Sequence, residues 1–327
     1  MRKPLVSVII PTYNYAEFIC EAINSVLKQN FPQHLIEIII VDDGSIDDTS
    51  DKIKSYGNAV KYFYQENIGK AWATKIGIEN AQGKYIFNLD ADDLFLPDKL
   101  HNVVNIFEQN KDIVHVSHPA FCWNVKTNTK TVEPIPSSII GRKILGRKFL
   151  SFLYRRNILF GGGSTFAART PILKDLFISK EIDMMTDEYL VLSTLNQGYS
   201  FFLKEPLSVW RIHGNNYSNT NPNDGYEGLM KNIKSMEAIL TILSNNDFED
   251  SLKKLYKFKI TIAKLAMQEK VGNKSFDDIV NMWVELMRNA KIFGPNIVNI
   301  MKCYTVLNRT IPTRVLNVCK MAKRFLP

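Results

Sequence analysis

The first ninety residues alternate apolar runs of strand length with helical stripes, and few folds accept that order. Residues 5–10 (Leu-Val-Ser-Val-Ile-Ile) form a run stopped by Pro11, the length of a buried strand. Residues 17–28 carry Phe18, Ile19, Ala22, Ile23, Val26 and Leu27 on one helical face. Residues 36–41 are nearly all branched aliphatic, as a parallel strand covered on both faces requires. A helix then starts at Asp48 or Thr49 and runs to Tyr56, and residues 60–65 make a third strand. Residues 70–81 form a helix ended by Gly83, and residues 85–89 a fourth strand. This β-α-β-α-β-α-β order predicts an α/β fold built on a doubly wound, mostly parallel sheet. Ligands of such sheets bind outside the carboxyl ends of the strands.

Polar residues gather at those ends: Thr12 and Asn14 after the first strand, Asp42 and Asp43 after the second, Asn67 and Gly69 after the third, Asp90 and Asp92 after the fourth. Residues 88–93 read Asn-Leu-Asp-Ala-Asp-Asp. A strand period of two puts Asp90 and Asp92 on one face. Two carboxylates that close repel unless Mg²⁺ or Mn²⁺ lies between them, and such an ion also holds phosphate oxygens. The alternative is that Asp92 or Asp93 caps a helix starting near Leu94, with Pro97 in its first turns. No GxGxxG follows the first strand, which argues against a nicotinamide or flavin site.

The chain of 327 residues has room for one large domain and an appendage. Cys20, Cys122, Cys303 and Cys319 are scattered, with no CxxC pair, as in a reducing compartment. No run approaches the length of a membrane span, and Met-Arg-Lys-Pro leads straight into the first strand without a leader pattern. These features read as a cytoplasmic chain. The net charge of +8 is unevenly spread: residues 1–224 hold 24 basic and 24 acidic residues, and residues 225–327 hold 17 and 9. After Glu285 there are eight Lys or Arg and no acidic residue. A one-signed region faces phosphate, in a nucleic acid or an anionic membrane. Ile297, Ile300, Met301, Tyr304, Leu307, Val315, Val318 and Phe325 interleave with those charges, which favours a peripheral membrane contact over nucleic acid. A helical appendage that packs on the first domain or makes a dimer contact is the alternative. The expected organisation is an α/β domain over 1–224 and a basic α-helical region over 225–327. In the latter, Ile233, Met236, Ile239, Leu240 and Leu243 form one stripe.

Val8-Ile-Ile-Pro-Thr-Tyr-Asn14, Val41-Asp-Asp-Gly-Ser45, Asn67-Ile-Gly69 and Leu89-Asp-Ala-Asp-Asp93 occur in this order. Over roughly residues 4–220 the series resembles family 2 glycosyltransferases. That resemblance implies a Rossmann-like GT-A fold and inverting, metal-dependent transfer from a nucleotide-diphosphate sugar, with UDP favoured and GDP possible. The implied acceptor is a hydroxyl in a surface polysaccharide, glycolipid or glycoprotein glycan, or a lipid-linked glycan at the inner membrane face. By position, Asp42 resembles the carboxylate that meets the nucleobase, with Pro11, Thr12 and Tyr13 lining that pocket. An Asx-turn through Asp42-Asp43-Gly44-Ser45 is compatible with that role. Asn14, Asn67, Gly69, Asp90, Ala91 and Asp92 match the rest of the donor motifs. The resemblance gives Asp92 to Mn²⁺ or Mg²⁺, Asp90 to ribose or metal, and His213, in Pro206-Leu-Ser-Val-Trp-Arg-Ile-His213, to metal or diphosphate. Gly162 and Gly163, within Gly161-Gly-Gly-Ser164, and Arg211 match the acceptor side.

The implied general base falls in Thr186-Asp187-Glu188-Tyr189, ahead of Gly198. The spacing selects Asp187, with Glu188 second by a one-residue shift; an N-cap for the following helix is the structural alternative. Two departures from the family pattern stand out. Thr74 occupies the position of a diphosphate-binding Arg, so that Lys70 or Lys75 becomes the substitute, as a point charge without the guanidinium fork. Leu192, Ser193 and Thr194 occupy the stretch where relatives carry Trp or Arg. The competing reading is a non-catalytic nucleotide-sugar-binding scaffold that retains the fold.

Overall fold

A computed structural model describes residues 3–155, 162–214, 216 and 226–270. The chain runs β1 (Val6–Thr12), α1 (Ile19–Leu27), β2 (Ile36–Asp42), α2 (Thr49–Lys54), β3 (Lys61–Tyr64), α3 (Lys70–Asn80), β4 (Tyr85–Asn88), β5 (Leu94–Phe95) and α4 (Lys99–Gln109). There follow β6 (Ile113–Ser117), β7 (Ala120–Asn124), β8 (Thr129–Val132), β9 (Lys143–Leu145), α5 (Gly146–Arg155), β10 (Ala167–Arg169), α6 (Thr170–Lys174) and α7 (Thr186–Leu195). Finally come β11 (Tyr199–Phe202), β12 (Ser208–Ile212), α8 (Tyr226–Asn245) and α9 (Asp250–Lys270). Eight strands form one sheet in the order β3-β2-β1-β4-β10-β6-β11-β9, and β5-β12-β7-β8 form a second. In the large sheet β1 pairs in parallel with β2 and β4, while β10 and β9 run antiparallel. The expected α/β architecture is therefore present.

The branched aliphatic strands divide their side chains between two cores. Ile9, Ile39, Val41 and Ile86 pack toward α3 and α5 through α9. Val8, Ile10, Ile38, Ile40 and Phe87 pack toward α1 and α4 on the other face. Burial of both faces explains why these strands read as continuous apolar runs. The stripe of α8 is buried at Ile233, Met236, Ile239 and Leu243 and joins the first core. The compact unit that contains the sheet runs Met1–Ser275. The junction expected at 224/225 falls outside the described residues, as do the interleaved apolar and basic residues that follow Glu285. Among the described residues no helix is long and apolar enough to cross a membrane.

Two expectations need correction around the fourth strand. Strand β4 ends at Asn88, and Asp90 to Asp93 form a turn closed by Asp93 N–H donating to Asp90 O at 3.0 Å. Asp90 and Asp92 therefore do not share a strand face, and the turn sends their carboxylates in different directions. No helix starts near Leu94. Leu94 and Phe95 pair with β12, and α4 begins at Lys99. The strand order changes direction beside β1, so the β1/β4 edge is the crevice where such sheets take ligands.

Candidate active site

Asp43 organises the loop that leads into α3. Its Oδ1 accepts from Gln65 Nε2 and from Ile68 N–H at 2.9 Å, and its Oδ2 accepts from Gly69 N–H at 2.8 Å. Burial raises its pKa against those hydrogen bonds. Gly69 has φ 111°, and a side chain there would reach Asp183 Oδ1 at 2.5 Å. Only glycine accepts that backbone with that neighbour. Asn67 lies in the same loop, its backbone against Gly44. At the end of β2, Asp42 is buried; its Oδ1 accepts from Ser45 N–H and its Oδ2 from Tyr62 O–H, both at 2.8 Å. The Asx-turn is thus formed. Pro11 and Thr12 are buried at the end of β1, Tyr13 is exposed, and Asn14 adopts φ 55° while bonded to Ser45 and Ile46.

The two aspartates of the β4 turn enter separate clusters. Asp92 Oδ2 lies 3.1 Å from His213 Nε2 and accepts from Asn216 Nδ2 at 3.0 Å. The His213 ring stacks on Phe18 with centroids 4.2 Å apart. Asp90 Oδ1 instead meets Lys70 Nζ at 2.8 Å, and the same ammonium lies 2.9 Å from Asp187 Oδ2. Burial lifts the Asp90 pKa to about 6, with Lys70 opposing and Asp187 and Asp92 adding to the rise. Burial works against the Lys70 charge, yet the carboxylates of Asp187 and Asp90 hold its pKa well above the usual lysine value. The family Arg position is filled by Thr74, buried in α3 with its hydroxyl donating to Lys70 O. Lys75 does not reach the site: it stacks over Trp72 at 4.1 Å and pairs with Glu79 at 3.7 Å. Lys70 is the lysine that the fold delivers.

Asp187 sits in the first turn of α7 and faces Lys70. Its neighbour Glu188 faces the opposite way, accepting from Tyr256 O–H and from Lys259 Nζ at 2.9 Å. The helix begins at Thr186, so the N-cap reading of Thr186 and Asp187 does not hold. Gly163 closes its turn over the carboxylates of Asp90 and Asp187. A side chain there would collide with the Asn88 amide and reach Asp90 Oδ1 at 2.9 Å and Asp187 Oδ1 at 3.0 Å. Gly162 approaches Asp90 from the same side, and Ala91 is buried within the turn.

Arg211 departs from its expected acceptor-side place. It is buried beneath the turn, where its Nε donates to Asp92 O, its Nη1 pairs with Glu21 and its backbone N–H donates to Asp93 Oδ1 at 3.0 Å. Its neighbours in the sequence, Trp210 and Ile212, are less deeply placed, and strand alternation turns Arg211 inward. Asp93, Ser164, Lys99 and Asn216 complete the frame and were not predicted. Ser164 Oγ donates to Asp93 Oδ2 at 2.6 Å, Asp90 N–H donates to Ser164 Oγ at 3.0 Å, and the buried Lys99 donates to Ser164 O. Burial drives the Asp93 pKa well up and the Lys99 pKa well down. These bonds join segments some seventy residues apart, and no local pattern announces them.

For a metal, the donor set is Asp92 and His213. A carboxylate oxygen and an imidazole nitrogen suit Mn²⁺, and two protein ligands leave coordination positions for phosphate oxygens and water. Asp90, the other expected ligand, has its Oδ1 engaged by Lys70 in the structure. Among the described residues no group of three His, Cys, Asp or Glu converges on one point.

Residues 7–177 match the profile of glycosyl transferase family 2. An uncharacterised glycosyltransferase of Rickettsia typhi is 30% identical over 94% of this chain and 97% of its own. The solved structure of S. aureus TarS in complex with UDP-GlcNAc matches with TM-score 0.59 and 19% identity, over 88% of this chain and 81% of that one. The mannosyltransferase PcManGT of Pyrobaculum calidifontis, solved with GDP-Man and Mn²⁺, matches with TM-score 0.52 and 16% identity, over 97% and 84%. These likenesses fit the sheet order and the loop chemistry at the β1/β4 edge, and the chain belongs to glycosyl transferase family 2.

Proposed function

We propose that the chain transfers a sugar, with inversion, from a nucleoside diphosphate sugar to an acceptor hydroxyl, using Asp187 as general base. One observation carries this reading: Asp187 and Asp90 meet at one ammonium, under the Gly163 turn, at the sheet edge where the donor motifs converge. Asp187 takes the acceptor proton as the hydroxyl oxygen attacks the anomeric carbon. The bond to the diphosphate breaks in the same displacement, which inverts the configuration. Asp92 and His213 would hold Mn²⁺ or Mg²⁺, and the cation supplies positive charge to the departing diphosphate. Asp42 positions the nucleobase beside Pro11, Thr12 and Tyr13. UDP is the favoured donor nucleotide, supported by the likeness to a UDP-GlcNAc complex, with GDP second. The acceptor is a glycan or lipid-linked glycan at the inner membrane face, a reading supported by the apolar and basic residues after Glu285.

The test is nucleoside diphosphate release from a panel of UDP- and GDP-sugars, with the product anomer assigned by NMR. The reading expects turnover of one donor, with inversion. Retention, or no turnover of any donor in the presence of Mn²⁺ and lipid-linked acceptors, would refute it.

A further inference from the structure

Asp187 is not free to accept a proton in the structure. Its Oδ2 lies 2.9 Å from Lys70 Nζ, and its Oδ1 is buried against Gly163 without a hydrogen-bond partner. An ammonium at that distance occupies the Oδ2 position where an acceptor proton would have to arrive. The same ammonium lies 2.8 Å from Asp90, and all three side chains remain a fifth to a quarter exposed. Lys70 is the first residue of α3, so its Cα is fixed while its four-carbon stem can swing. Several neighbouring donors are already committed, whereas Asn88 Nδ2 and Arg211 Nη2 are buried without a hydrogen-bond partner. Gly69 and Ala71 donate their N–H groups to Asp43 and Asp183. Arg211 pairs with Glu21, Lys75 with Glu79, and Lys99 donates to Ser164 O. A polyanion arriving beside Asp90 meets the ammonium that Asp187 shares and competes with Asp187 for it.

We infer that Lys70 is an interlock between donor binding and the base, an inference that rests on the donor-site reading above. Without donor, Lys70 holds Asp187 in an ion pair. The donor diphosphate draws the ammonium toward itself, and Asp187 is released. Lys70 keeps its protons throughout. The acceptor proton goes to Asp187, the new bond forms between acceptor oxygen and anomeric carbon, and the electron pair of the broken bond leaves with the diphosphate. The base is thereby uncovered only when a donor is present.

The test is a double-mutant cycle on the full chain in Mn²⁺, reading UDP and uridine affinity by calorimetry, with GDP and guanosine instead if the wild type prefers them. Lys70→Met should weaken UDP by about 10- to 100-fold and leave uridine unchanged. Asp187→Asn removes the competitor and should tighten UDP by about threefold or more, again without effect on uridine. In the Lys70→Met background the same Asp187→Asn change should do nothing. Equal tightening in both backgrounds would mean simple relief of negative charge and would overturn the interlock, as would unchanged UDP affinity in Asp187→Asn. Lys70→Gln, which keeps a donor between the carboxylates, replaces Lys70→Met should that variant not fold. Failure of the wild type to bind either nucleotide would instead sink the donor-site reading itself.

Discussion

Asp187 and Glu188 are adjacent in sequence and do opposite work. One faces the Lys70 ammonium at the sheet edge, and the other ties α7 to Tyr256 and Lys259 of α9. Sequence spacing alone leaves a one-residue ambiguity between them; the helical rotation per residue sends only Asp187 toward the Lys70 ammonium. Asp187→Asn is expected to lower turnover by about 10²- to 10⁴-fold while the protein still unfolds cooperatively. Glu188→Gln is expected to keep turnover near wild type and to lose about 1–3 kcal/mol of stability in urea, because the buried carboxylate that accepts from Tyr256 and Lys259 loses its charge. A reversed pattern in nucleoside diphosphate release and urea midpoints would exchange the two roles. Lys70 and Lys75 were likewise equal candidates in the sequence. Only the packing of α3 separates them, by sending Lys75 to Trp72 and Glu79.

Elements were legible where one local pattern decided them. Strands β1 and β2 read as strands because both of their faces are covered, and the α8 stripe read correctly because Ile233, Met236, Ile239 and Leu243 recur at helical spacing. Ile239→Ala should cost about 2–5 kcal/mol, measured by urea unfolding, because this helix shares the core of the sheet. A cost below about 1 kcal/mol would place α8 outside that core. The β4 turn was misread because its geometry depends on distant partners. Leu94 and Phe95 are captured by β12, more than a hundred residues on, and that pairing delays α4 to Lys99. The polar motifs are visible in the sequence as short loops at strand ends, whereas the frame of Asp93, Ser164, Lys99 and Arg211 is made of long-range bonds.

For the whole molecule, two features set its response to conditions. His115, in β6, is buried beside Phe166 and Phe202 with Nδ1 3.1 Å from Ser200 Oγ, and burial lowers its pKa to about 3. The unfolded chain takes up this proton near pH 6.5 and the folded one does not. The associated stability is complete above about pH 6.5 and is lost as pH falls toward 3, by about 3 kcal/mol at pH 4. His115→Phe should flatten the fall of the urea midpoint between pH 7 and 4, and an unchanged slope would contradict this assignment. The second feature is the proposed donor site, where Asp90 and Asp187 share the Lys70 ammonium and Asp92 lies against His213. Thermal unfolding with UDP and GDP, each with and without Mn²⁺, on wild type and Asp92→Asn tests that site most directly. A ligand that binds only the folded state adds about 2.7 kcal/mol at a hundred times its Kd. The account predicts a rise in Tm with one nucleotide that requires Mn²⁺ and disappears in Asp92→Asn; no rise with either nucleotide, or the same rise in the variant, would contradict it.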